Sequence, residues 1–342
     1  MNQIIRIGMD TSKQFFQLHG VDAQERPALK KRLRRKELEA FFAKLAPSVI
    51  GIEACSAAHH WARTLSALGH EVKILPAQLV KPYVKRSKHD AADAEALCEA
   101  MSRPSMRFVP VKSRAQQAAL MLLTVRELLT RQRTQTANAI RGHAAEFGLI
   151  AAKGHDKIEP LLGRVADDDT LPELARELLF ELGAHHAQLG ERLKRLDRAL
   201  AGAHRADALS RRLARIPSIG PVAAVMLSLK APDPFAFRSG RDFAAWLGLT
   251  PKNHSTAGKQ RLGAITRAGD EALRSVLVVG ATSVIKQVKR GRGPAWPWLK
   301  RLAAAKPAKL AAVALANKVA RIAWKMMTSG EEFALQRVAA AA

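Results

Sequence analysis

The chain has 342 residues, with 56 Lys and Arg against 30 Asp and Glu and a formal net charge of +26. That length allows two domains with a core in each, and a hydrophobic content of 48% excludes global disorder. A pI near 10.8 points to a polyanionic partner held with strong salt dependence, while no apolar run reaches the roughly 18–20 residues that would span a bilayer.

In chain order, the amino terminus lacks a signal-peptide layout, and residues 4–10 and 14–21 read as strands joined by the turn Thr11-Ser12-Lys13. A third strand fits 27–33, a helix 36–45 ending before Pro47, and a short, doubly buried strand 49–53. A helix over 57–68 stops at Gly69, a strand follows over 71–75, and a further helix opens near Asp90. Three strands followed by helix, strand, helix, strand, helix suit a layered α/β domain on a mixed sheet. Two cysteines, Cys55 and Cys98, form no disulfide framework and fit a reducing cytoplasm. Cys55 is expected to be a small buried apolar side chain.

Apolar residues recur at helical spacing from Ser113 to about Gly148, and again from Leu171 to Arg215. Separated by a loop near Gly154, the two segments imply a helical hairpin or coiled-coil arm. The turn Ile216-Pro217-Ser218-Ile219-Gly220-Pro221 then opens a helix and looks like half of a helix-hairpin-helix unit, with backbone N–H groups at Gly220 suited to a phosphate. A polar segment spans Lys252 to Gly263, a helix runs from about Asp270 to Lys286, a basic loop continues to Pro294, and a last helix covers 307–328. The division that follows is 1–112, 113–205 and 206–342.

Asp10 closes the first strand, Glu53 closes the strand 49–53, and Asp90 and Asp93 stand on one face of the helix they open. Acids at the ends of neighbouring strands and on the first turn of a later helix can converge on one point. Mg²⁺ favours a few carboxylates plus water and phosphate oxygens, and two such ions serve phosphoryl displacement. Taken singly, Asp90 reads better as an N-cap and Glu53 as a buried, lysine-paired acid; together the four point to a metal site, with Mn²⁺ able to substitute. Glu95 and Glu99 are expected to face elsewhere, with an accessory role the alternative for Glu95.

For a nucleophile, the chain's one tyrosine, Tyr83, lies in a basic stretch where packing or nucleic-acid contact suits it better. Ser255 stands among Lys252, Lys259 and Arg261, and Thr256 offers the same hydroxyl chemistry. Lys85, Arg86, Lys88, Gly220, Lys252, Lys259, Arg261, Arg290 and Arg292 are candidate nucleic-acid contacts. Trp296 and Trp298 suit base stacking or a core equally.

Met9-Asp10-Thr11-Ser12-Lys13, Gly51-Ile52-Glu53-Ala54-Cys55, Lys88-His89-Asp90-Ala91-Ala92-Asp93-Ala94 and Pro251-Lys252-Asn253-His254-Ser255-Thr256-Ala257-Gly258-Lys259 resemble, in this order, one class of insertion-sequence transposases. It is the IS-one-ten class, and the serine loop resembles its IS-eleven-eleven branch. Gly263 to Asp270, followed by Leu273-Arg274, fits as well.

The resemblance implies an N-terminal RuvC-like, RNase H-fold domain, a coiled-coil arm and a mainly helical C-terminal transposase domain. It makes Asp10, Glu53, Asp90 and Asp93 ligands of Mg²⁺ and Ser255 a nucleophile that becomes linked to a DNA phosphate. Many members carry His-Ser-Ser-Gly-Gly-Lys there, whereas this chain keeps only the first serine, which leaves Thr256 at the second position. The implied partners are donor and target DNA, a guide (bridge or seeker) RNA from the element, and further copies of the chain. These form a dimer or tetramer with a cross-subunit active site, in a bacterial cytoplasm and associated with the nucleoid. A water-using Holliday-junction resolvase or structure-specific nuclease, and a non-catalytic RNA-binding protein, are the alternatives.

Overall fold

The computed structural model describes residues 3–85, 90–231, 233–256, 259, 261–294 and 296–334. They form two compact units divided after Gln116. The first contains β1 (Ile4–Thr11), β2 (Phe15–Asp22), β3 (Pro27–Arg34), α1 (Leu38–Phe42), β4 (Val49–Glu53), α2 (Ala58–Ala67), β5 (Glu71–Leu75), α3 (Ala77–Val80) and α4 (Asp90–Ala100). The sheet order is β3-β2-β1-β4-β5. β1, β2 and β3 pair antiparallel, while β4 runs parallel to both β1 and β5. The expected mixed sheet is therefore present, with strands within a residue or so of the expected bounds.

Side chains alternate between the faces of a strand, and here the alternation separates two kinds of packing. Ile7, Met9, Ile50 and Ile52 face a core shared with Leu38, Phe42, Trp61 and Leu65 of α1 and α2. On the opposite face Gly8 and Gly51 lie side by side in register. A Cβ on Gly8 would stand 2.6 Å from the Cys98 nitrogen and closer still to the Ala94 carbonyl oxygen; one on Gly51 would stand 2.8 Å from the Met101 Cε. The missing side chains thus let α4 lie directly on β1. The guanidinium of Arg6, ion-paired with Glu25, donates from Nε to the Cys98 carbonyl at 2.9 Å and ties the far end of the helix to the same strand.

The second unit continues the helix α5 (Arg114–Ala145) and adds α6 (Ile158–Asp167), α7 (Glu173–Ala206), α8 (Ala208–Leu213), α9 (Pro221–Lys230), α10 (Gly240–Trp246), β6 (Pro251–Asn253), β7 (Leu262–Ile265), α11 (Glu271–Lys289), α12 (Pro297–Ala305) and α13 (Ala308–Ser329). α5 and α7 are the two long helices expected, and α6 was not anticipated. This short amphipathic helix places Ile158, Leu161 and Val165 against Ala137, Ile140 and Ala144 of α5 and Leu179 of α7. The second long helix ends at Ala206 rather than Arg215, because Asp207 leaves helical geometry and accepts the Leu209 N–H as the N-cap of α8. In the turn before α9 the left-handed residue is Ser218 (φ 83°), not Gly220, which is the extended N-cap of α9.

The C-terminal helices share one core that includes Leu213, Phe243, Leu277 and Leu315. Trp296 is 0% exposed within it, so of its two readings the core is correct and stacking on a base is not; Trp298 is half-buried. No helix among the described residues is long and apolar enough to cross a membrane.

Gly8→Ala should lower stability by about 2–3 kcal/mol, because the added methyl meets helix backbone that cannot rotate away. Gly163→Ala in α6, where a Cβ meets nothing within 4 Å, should instead raise stability by about 0.5–1 kcal/mol. Urea unfolding followed by circular dichroism checks both; equal effects would refute the packing account.

Candidate active site

Asp10 lies two residues beyond Gly8, and Glu53 two beyond Gly51, so both acids share the face on which α4 packs. Continuing the pairing Met9 with Ile52 sets them side by side at the ends of adjacent parallel strands. Asp90 and Asp93 both fall in the first turn of α4. The carboxyl of Asp10 is pushed up to about 6, first by burial, then by the charges of Asp90 and Asp93 and, more weakly, Glu53; the Thr11 backbone N–H opposes the shift. Asp10 thus feels the charges of the other three acids. Asp10, Glu53 and Asp93 are half-buried and Asp90 is exposed.

Among the described residues no three His, Cys, Asp or Glu side chains are gathered tightly enough to enclose an ion as they stand. The donor set still fits a hard divalent cation: it consists of carboxylate oxygens, and burial followed by the charges of Asp90 and Asp93 disfavours a bare negative charge on Asp10, a penalty that a cation would relieve. Glu95 is ion-paired with Lys85 at 2.5 Å and Glu99 with Arg103, so both are engaged elsewhere, as expected. Cys55 departs from expectation. Two residues past the end of β4, it is exposed rather than buried, with its Sγ 3.0 Å from the Thr11 Oγ1.

The serine segment forms the end of a two-stranded ribbon, β6 with β7. Asn253, which the sequence reading passed over, organises it. Its Oδ1 accepts the Ser255 N–H at 2.9 Å and also the Ser255 hydroxyl, while the Ser255 Oγ accepts the Arg261 N–H at 2.9 Å. The His254 N–H bonds the Arg261 carbonyl at 2.8 Å, and the Lys259 N–H the Thr256 carbonyl at 3.0 Å. The Asn-x-Ser spacing was the available signal, since asparagine commonly bonds backbone two residues on. Ser255 is exposed, as are Lys252, Lys259 and Arg261 around it. At the ribbon's base the buried Arg274 donates to the Ala268 carbonyl at 2.7 Å and the Leu247 carbonyl at 3.2 Å.

Of the remaining candidate contacts, Arg290 and Arg292 are exposed just beyond α11, and Gly220 caps α9. Lys85 is exposed but ion-paired with Glu95. Arg86 and Lys88 lie outside the described residues. Tyr83 is partly buried against the α4 side of the sheet.

The mixed sheet of the first unit and the helical second unit agree with the comparisons to known proteins. A DEDD-type family model described as "Transposase" matches residues 7–147. A second, described as "Transposase IS116/IS110/IS902 family", matches residues 210–294. The first defines the sheet domain as a DEDD transposase domain of RNase H-like type, a class that points to divalent-metal use in general.

Among relatives, the chain is 63% identical over 97% of its length, and 86% of the relative's, to a putative transposase (y4pF/y4sB) of Sinorhizobium fredii. It is 37% identical over 97% of its length, and 99% of the relative's, to the transposase for insertion sequence element IS1328 of Yersinia enterocolitica. It is 33% identical over 97% of its length, and 92% of the relative's, to that of IS1111A from Coxiella burnetii. The chain belongs to the IS116/IS110/IS902 family of insertion-sequence transposases, and it is accordingly an enzyme that acts on DNA.

Because the Asp10 carboxyl is raised on folding to about 6, the folded state binds more protons than the unfolded one between about pH 4 and 6. The contribution of this group to stability therefore falls as pH rises through that window. Asp10→Asn should melt a few degrees above the wild type at pH 7.5 in chelator, with the gain vanishing near pH 4. Millimolar Mg²⁺ or Mn²⁺ should raise the wild-type melting temperature and leave that of Asp10→Asn nearly unchanged. Thermal melts across pH read both; a variant less stable at pH 7.5 would refute the repulsion.

Proposed function

We propose that the chain is an RNA-guided DNA recombinase that cuts and exchanges strands through a serine–phosphate intermediate. The observation that carries this reading is the pairing of two features in one chain: a four-carboxylate cluster and an exposed serine hydroxyl oriented by its own ribbon among cations. In the chemical step the Ser255 Oγ forms a bond to phosphorus as the bond to the leaving deoxyribose oxygen breaks. The hydroxyl proton passes to solvent, and the leaving oxygen takes up another. Asn253 can hold the hydroxyl but not deprotonate it, since an amide carbonyl is not a base at neutral pH. Lys252, Lys259 and Arg261 favour the approach of the phosphate.

Asp10, Glu53, Asp90 and Asp93 would hold Mg²⁺. When bound, such an ion polarises phosphoryl oxygens and stabilises the charge that develops in displacement. Return of the freed strand end to a different phosphoserine joins new partners without hydrolysis, the distinction between recombination and cutting. The guide RNA supplies sequence choice, and an oligomer of the chain supplies the strands with separate sets of groups. Within it we assign 1–112 to catalysis by the acids, 113–205 to a coiled-coil arm and 206–342 to the serine, with the turn at Gly220 gripping DNA as half of a helix-hairpin-helix.

The test is recombination of a supercoiled substrate by protein purified with its co-purifying RNA. Ser255→Ala should abolish both recombination and the covalent protein–DNA adduct, whereas Thr256→Ala should retain at least about one-tenth of the rate, a loss of no more than about 1.4 kcal/mol. Asp10→Asn should be equally inactive, and mixing it with Ser255→Ala should restore activity if the two groups come from different subunits. Cleavage that survives Ser255→Ala would identify a water-using nuclease. Absence of any enriched RNA would overturn the guided reading.

A further inference from the structure

Within the second unit a cavity of about 870 Å³ opens between α10, the start of α12 and α13, within the roughly 300–1,000 Å³ of ordinary ligand sites. Its construction is specific. Gly240 lets α10 approach α13 closely, since a Cβ there would stand 3.1 Å from the Arg321 carbonyl oxygen and 3.2 Å from the Trp324 ring. Lys318, Arg321 and Lys325 follow one another a turn apart on α13 and line one wall, with Arg241 contributed by α10. Trp298 and Trp324 supply the aromatic surface.

Both rings are fixed in place. The Trp324 Nε1 donates to the Pro234 carbonyl at 2.8 Å, and Trp298 packs beside the buried Trp296 with the Lys318 Nζ 4.6 Å from its centroid.

Among the described residues no carboxylate is ion-paired with Arg241, Lys318, Arg321 or Lys325; Glu331 and Glu332 also line the cavity, and Glu332 is engaged by Arg215. Burial, and then the neighbouring Arg321, pull the Lys318 ammonium below its ordinary range, a penalty that a bound phosphate would relieve.

We propose that this cavity is a binding site for single-stranded nucleic acid, in which Trp298 and Trp324 receive an unpaired base and the four cations take the flanking phosphates. Rings recessed in a concave site select against a duplex, because a paired base already has both faces occupied by its neighbours in the stack. Cations alternating with aromatic surface are the usual means of holding a single strand. The acids and the Ser255 ribbon take no part in this site, so it stands or falls apart from the catalytic reading.

The experiment is fluorescence anisotropy of the full chain with a labelled oligo(dT) of roughly 12 nucleotides, within the usual site sizes, its oligo(U) counterpart, and a duplex of equal length. Trp298→Ala should weaken single-strand binding by about 5- to 100-fold, and Trp298→Phe should restore most of it. Arg321→Ala/Lys325→Ala should reduce the slope of log affinity against log salt by roughly 1.4, as expected for two phosphates of a single strand. Duplex binding should change by less than about 2-fold in all three variants, since a base that stays paired and stacked cannot enter the cavity.

Tighter binding of oligo(dT) or of oligo(U) identifies the natural strand as DNA or RNA, and either outcome supports the proposal. Equal losses on duplex and single strands would reduce the site to general electrostatic attraction and overturn it, as would unchanged single-strand affinity in a normally melting Trp298→Ala. Should Trp298→Ala melt abnormally, the salt slope of Arg321→Ala/Lys325→Ala, both exposed positions, decides by itself.

Discussion

The candidate chemistry of the first unit depends on how closely one helix can approach one sheet. Backbone meets backbone where α4 crosses β1, because Gly8 presents no side chain and the helix offers Ala92, Ala94 and Ala96 among its buried residues. A helix resting on ordinary strand side chains would stand farther out, at the sheet-to-helix spacing that a layer of aliphatic groups imposes. Asp90 and Asp93 would then be carried away from Asp10 and Glu53, and the part of the Asp10 shift that their charges add to burial would weaken with distance. The small residues of the helix and the two glycines of the sheet are thus as much part of the site as the acids.

Charge is distributed unevenly over this chain. An excess of 26 positive charges attracts nucleic acid, yet the sheet domain keeps four carboxylates near one end of its parallel strands. These carboxylates are repulsive toward a phosphate backbone until a cation intervenes, so attraction by the surface and admission to the chemistry are separate events. The first turn of α4 helps to sustain the arrangement, since the positive end of a helix dipole favours acids there.

Much of this was legible in the sequence because it is written in local patterns. Short apolar runs marked the strands, and the Gly-x-Asp and Gly-x-Glu strand endings placed two acids on one face once the register was known. The long helices were visible from their apolar spacing. The elements that escaped were those whose identity depends on distant partners. α6 is short and becomes a helix by filling the space between α5 and α7. Asp207 ends α7 because its carboxylate caps the next helix and also receives the Ser228 hydroxyl from α9. The burial expected of Cys55 failed because a cysteine's small apolar character does not tell whether the turn beyond a strand is covered by another element. The Ser255 ribbon read as a plain polar segment, since its strands are only three and four residues long and exposed.

The two glycines under α4 differ in what they allow over evolutionary time. What stands in the way of a side chain at Gly8 is main chain, the Ala94 carbonyl and the Cys98 nitrogen, which every amino acid carries. No second substitution in the helix can clear that space, so position 8 is closed to drift for as long as the helix stays where it is. At Gly51 the obstruction is the flexible end of Met101 and a methyl of Leu75, both of which another residue could trim. A lineage could therefore exchange Gly51 for alanine after shortening Met101, and in doing so reshape the floor beneath Glu53 without disturbing Asp10. The domain has one fixed point and one adjustable one, and divergence in how its acids are spaced is open only from the β4 side.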